Sequence, residues 1–136
     1  GEISEQARNL LTVTEESLYR GIAQCRIGNH VGDISHAVQT HVEENGFSVV
    51  QSLVGHGVGR EMHEDPSVPN FVSGSRGTRL RAGMTLAIEP MIALGRWPIY
   101  FSDNGWTVIT RDHSACSHYE HTVAVTDGEP QILTLP

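Results

Sequence analysis

Apolar positions recur with a helical period in the first third of the chain and with a strand period in the rest. After a mixed polar stretch over residues 1–11, Thr12 reads as a helix N-cap, with Glu15 three residues on as its capping-box partner. That helix is expected to run to about Arg26, with Leu18, Ile22 and Cys25 on its inner face and Gly28 closing it in the left-handed conformation. Asp33 reads as the cap of a second helix. In it Ile34, Ala37, Val38, His41 and Val42 follow the i, i+3, i+4, i+7, i+8 spacing of one buried stripe, and Asn45-Gly46 ends it.

From Phe47 onward the pattern is one of strands and turns. Phe47 to Leu53 is short and β-branched, and Gly55 to Gly59 reads as a glycine-spaced loop. Residues 64–82 hold Pro66, Pro69, Gly74, Gly77 and three Arg, which predicts an irregular surface excursion. Met84 to Ile92 is an apolar strand interrupted by Glu89 and Pro90. Asp103-Asn104-Gly105 between Tyr100-Phe101 and Trp106–Thr110 predicts a hairpin. Tyr119 to Thr126 alternates again, and Asp127-Gly128 turns it into a closing strand over Gln131–Leu135. Two helices followed by an antiparallel sheet make the class α+β.

Composition narrows the function classes. The 136 residues carry sixteen acidic and nine basic side chains, a formal charge of −7, and every basic residue is Arg. An acidic chain is a poor fit to a phosphate-backbone binder, so no nucleic-acid partner is expected. No run approaches the ~20 apolar residues of a membrane span, and no membrane partner is expected either. Two cysteines, Cys25 and Cys116, are too few for a disulfide scaffold, which makes a reduced cytoplasmic compartment the expectation. Cys25 reads as core, and Cys116 sits in a polar, turn-like stretch with no activating partner.

Three residues break the strand logic. Glu89 lies inside an otherwise apolar strand, where a lone carboxylate costs several kcal/mol unless paired or bound to metal. Glu120 heads a similar strand, and His56 lies between glycines that let the backbone approach something closely. Imidazole with carboxylates is a ligand set for divalent metals. The plainer alternatives are an Arg partner for a strand Glu and a backbone hydrogen bond for His56. Of the remaining histidines, His41 reads as a core residue, and His30, His36 and His113 as surface positions. His118 falls two residues from Glu120 and could reach the same site, whereas His121 faces the other way.

Five ordered motifs then carry a resemblance. They are Gly55-His56-Gly57-Val58-Gly59-Arg60, His63 to Asn70, Gly83 to Met91, Asp103-Asn104-Gly105-Trp106-Thr107-Val108, and Tyr119 to Thr126. Together they resemble type I methionine aminopeptidase over about Thr12 to Leu135, and the short stretch from His63 to Glu89 leaves no room for the insertion of type II enzymes. The resemblance implies the C-terminal half of a pita-bread fold, two helices packed on a curved antiparallel sheet. It implies a metalloexopeptidase that removes N-terminal methionine from nascent polypeptides by means of a metal-bridging hydroxide. By the same resemblance His56, Glu89 and Glu120 are metal ligands, with Glu120 bridging two divalent ions (Co, Mn, Fe, Ni or Zn). The resemblance also implies that Glu89 is the catalytic proton shuttle. His63 resembles the catalytic histidine that contacts the scissile amide of bound substrate. By the resemblance Met62, where many members have Phe, and Trp106 are expected to line the methionine pocket.

The family also uses two aspartate ligands about ten residues apart, upstream of everything matched. None of Asp33, Asp65, Asp103, Asp112 and Asp127 fits those positions. The expectation is therefore that residues 1–136 are the C-terminal portion of one catalytic domain whose N-terminal half is a partner absent from this chain. Alone, the chain is expected to bind metal weakly, to be inactive and to associate through uncovered strand edges. The alternatives are an inactive pita-bread binding module and a proline-specific metallopeptidase of the same fold.

Overall fold

The computed structural model describes residues 1–135. Helix α1 spans Glu5–Ala23 and α2 spans Val31–Glu44. The first begins earlier than the Thr12 cap would have it. Ser4 is the N-cap, its hydroxyl accepting from the Ala7 N–H at 3.1 Å, and Thr12 lies exposed within the helix. The buried stripe runs through Leu10, Val13, Thr14, Ser17, Leu18, Gly21 and Ile22. Thr14 and Ser17 hide their polarity by donating to Leu10 O and Thr14 O, each at 2.7 Å, so two positions that look polar in sequence belong to the inner face.

The second helix is capped differently from the sequence reading as well. His30 is the N-cap, and Asp33 stands at the third helical position, where its carboxylate accepts the His30 N–H at 2.7 Å. Two further N–H groups of the first turn donate into the loop before the central strands, Val31 to Thr78 O at 3.0 Å and Gly32 to Arg76 O at 2.8 Å. His30 is thus part-buried, not a surface residue, while His36 and His113 are exposed.

Ten short strands follow: β1 Ser48–Val49, β2 Gly55–Gly57, β3 Glu64–Val68, β4 Thr85–Ile88, β5 Met91–Ala93, β6 Ile99–Phe101, β7 Val108–Thr110, β8 Cys116–His118, β9 His121–Ala124 and β10 Gln131–Ile132. All strand pairings are antiparallel. They form a five-stranded sheet in the order β10-β9-β4-β2-β3, a three-stranded sheet β1-β5-β8, and the hairpin β6-β7. The glycine loop expected at Gly55–Gly59 is in part the strand β2, wedged between β3 and β4. A Cβ on Gly55 would run into Ala87 O and one on Gly57 into Asp65 O, so the glycines serve close strand approach. Likewise Cys116 opens a strand, not a turn.

Each sheet has its own share of the core. Leu18, Ile22, Cys25, Val31 and Ile34 of the helical segment pack on Val68, Leu86, Ile88 and Val123 of the larger sheet and on Val125 just after β9. Leu10, Val38 and Val42 pack on Val49 and Ile92 of the smaller one. Burial pushes the Cys25 thiol up to about 12, as suits a small apolar filler.

Candidate metal centre

The site lies where the chain passes twice between the two larger sheets. Strand β4 leaves the five-stranded sheet at Ile88, and β5 joins the three-stranded sheet at Met91; the crossing residues are Glu89 and Pro90. In the other direction β8 leaves the small sheet at His118 and β9 joins the large one at His121, with Tyr119 and Glu120 between them. The registers Ile88 with His121 and Met91 with His118 set the two crossings face to face, and the Tyr119 N–H reaches Pro90 O at 3.4 Å. Proline at 90 suits the break, because it has no N–H to give to a ladder. The buried Asn70 side chain anchors the crossing by donating to Glu89 O at 3.1 Å.

His56 comes from the neighbouring strand. It pairs with Ala87 of β4 and Ser67 of β3, and the register with β3 shifts between His56 and Gly57 as a β-bulge, a device that re-aims a side chain. Its Nδ1 lies 2.8 Å from Gly57 O. A carbonyl only accepts, so Nδ1 donates there and Nε2 is the ring nitrogen turned to the site. That Nε2 faces Glu89 Oε1 at 3.4 Å, and the two side chains are 15% and 16% exposed. An imidazole nitrogen and a carboxylate oxygen are thus turned toward each other in a shielded place. Imidazole nitrogen and carboxylate oxygen are donor types that suit a divalent cation.

On the other side of Glu89 stand His118 and Glu120. His118 Nε2 is 3.5 Å from Glu89 Oε2 and 4.0 Å from Glu120 Oε2, with both outer side chains about half exposed. One ligand atom from each of Glu89, His118 and Glu120 fits within 4.8 Å of the others. The hydrogen bond to Glu89, with the charges of both carboxylates behind it, holds the His118 imidazolium above the ordinary histidine range, against the pull of partial burial. The donor set and spacing therefore suit a divalent ion.

Of the residues singled out from sequence, His56, Glu89, Glu120 and His118 converge. His63 lies exposed in the turn before β3, yet its ring centroid is 4.2 Å from that of His56. Met62 and Trp106 are not gathered into a pocket wall among the described residues: they are 74% and 85% exposed, in the β2–β3 turn and the β6–β7 hairpin. His121 does face away, its Nδ1 2.8 Å from Thr134 Oγ1 and its ring against Tyr19. His41 is buried, with Nε2 2.9 Å from a Glu16 carboxylate oxygen.

Comparison with known proteins gives this geometry a context. The sequence profile of metallopeptidase family M24 matches residues 1–127. Methionine aminopeptidase from Clostridium acetobutylicum is 52% identical over 99% of this chain and 54% of its own length. Methionine aminopeptidase 1 of Bacillus subtilis is 50% identical over 98% of this chain and 54% of its own. The chain thus spans about half the length of these relatives. The crystal structure of methionine aminopeptidase from Thermotoga maritima superposes with a TM-score of 0.96 at 47% identity, over 100% of this chain and 55% of that one. Prolidase from Pyrococcus horikoshii, at 22% identity and a TM-score of 0.75, shares the fold, with 99% of this chain and 33% of that one covered.

Proposed function

This chain belongs to metallopeptidase family M24, and we propose that it forms the histidine-and-glutamate side of an aminopeptidase centre that removes N-terminal methionine from new polypeptides. The observation that carries the reading is the convergence at the seam between two sheets, where His56 Nε2 lies 3.4 Å from Glu89 and Glu89 is grouped with Glu120. In this reading the chain is the C-terminal portion of one catalytic domain, and two divalent ions are held jointly with aspartates from the remainder.

His56 would bind through Nε2, and Glu89 and Glu120 through their carboxylates. Bound divalent cations supply Lewis acidity toward the peptide carbonyl and acidify water. Glu89, only 16% exposed, is placed to accept a proton beside His56 and pass it to the leaving amine. His63, with its ring against that of His56, donates a hydrogen bond to the substrate amide and stabilises charge as the carbonyl carbon becomes tetrahedral. Met62 and Trp106, exposed here, form an apolar seat for the methionine side chain when substrate and the remainder of the domain close over them.

A direct test joins this chain to the two-aspartate segment of the Bacillus subtilis relative and loads the product with cobalt or manganese. Free methionine is expected from a Met-Gly peptide, and Glu89→Gln or His56→Ala is expected to lower the rate at least ~100-fold. Faster cleavage of an X-Pro peptide would favour the proline-specific alternative. Metal binding without cleavage of either peptide would favour a binding module.

A further inference from the structure

Glu89 turns each of its two carboxylate oxygens toward a different imidazole. Oε1 faces His56 Nε2 at 3.4 Å, and Oε2 faces His118 Nε2 at 3.5 Å. The five-motif resemblance gives His118 no part in the centre. Building on the metal-centre reading above, we propose that His118 is a metal ligand in this chain. Through Nε2 it binds one divalent cation together with Glu89 and Glu120.

The distances suit a shared ion. Donors about 2.0–2.2 Å from a cation lie about 3.4 Å apart at tetrahedral angles and about 4.2 Å apart when opposite. His118 to Glu89 matches the first spacing, and His118 to Glu120, at 4.0 Å, falls within the range. The remaining pair lies within 4.8 Å, and the half-exposed Glu120 side chain is free to close the difference.

The backbone beneath these donors is held. His118 is registered against Met91 across β8 and β5, and the next N–H is bonded to Pro90 O. The imidazole also alters the chemistry. Two carboxylates alone offer oxygen to hard ions, whereas an added nitrogen favours borderline ions such as zinc and cobalt. Two carboxylates with one neutral imidazole balance a dication.

Zinc titration of this 136-residue chain by calorimetry, with circular dichroism to confirm folding, tests the assignment. Each chain is expected to take up a zinc ion. His118→Gln is expected to weaken its binding at least about tenfold, while His36→Gln, an exposed histidine on α2, changes it less than about twofold. In the unmutated chain, where no variant can misfold, zinc is expected to shift the nitrogen resonance of His118 Nε2. Bound zinc with an unshifted His118 resonance, or an affinity that His118→Gln leaves within about twofold, overturns the proposal. If Glu89→Gln abolishes binding where His118→Gln does not, the metal-centre reading stands and His118 is only a partner of Glu89. If the unmutated chain takes up no zinc, the His118 proposal falls, while the centre shared with the two aspartates is decided by the metal-loaded joined protein described above.

Discussion

Asn70 shows how much of this centre depends on a residue with no chemistry of its own. It is fully buried and donates to Glu89 O at 3.1 Å, so it fixes the backbone from which the central carboxylate projects. Asn70→Ala is expected to cost about 1–3 kcal/mol, the penalty for stranding a buried carbonyl, and to weaken zinc binding although no ligand is removed. Denaturant unfolding beside calorimetric titration checks this, and lost stability with unchanged zinc affinity would leave Asn70 a purely structural role. Glu89 and His56 stand out in sequence because each breaks a local rule, a charge in an apolar strand and an imidazole among glycines. Asn70 breaks none, lying in a Pro-rich stretch where asparagine is ordinary, so its role was not legible.

The elements bring a related lesson about caps. Asp33 is a capping residue by composition, but it works from the third position of α2, with His30 as the N-cap. The backbone N–H of His30, helped by Arg76, holds the Asp33 carboxyl below its ordinary range. A depressed folded-state value means the interaction stabilises fully above the unfolded value of about 4 and is lost as pH falls through the lower, folded one. Asp33→Asn is therefore expected to lower the melting temperature at pH 7 and to make little difference at pH 2; an equal deficit at both would exclude the charge as the cause. The start of α1 is masked in the sequence for a physical reason also. Thr14 and Ser17 look like solvent-facing positions until their hydroxyls turn back onto helix carbonyls and join the apolar stripe.

The whole molecule leaves sheet edges and apolar side chains open. Strand β8 is an edge of the three-stranded sheet and β3 and β10 are edges of the five-stranded one, while Leu133, Leu135, Phe101 and Trp106 are exposed. Unpaired edges beside apolar surface favour association, so sedimentation velocity is expected to show species larger than monomer growing with concentration in the micromolar-to-millimolar range. A monomer throughout that range would show that the edges are protected. No helix among the described residues is long and apolar enough to cross a membrane. Periodicity and turn chemistry by themselves determined the α+β class, the antiparallel hairpin at Asn104-Gly105, and the residue types able to hold a metal, because each depends on neighbours a few positions apart. Which of those residues meet was decided only by the tertiary structure. Glu89 and His118 are 29 positions apart in the chain, and their contact depends on two sheet crossings aligned by strand register, a long-range constraint that no local pattern encodes.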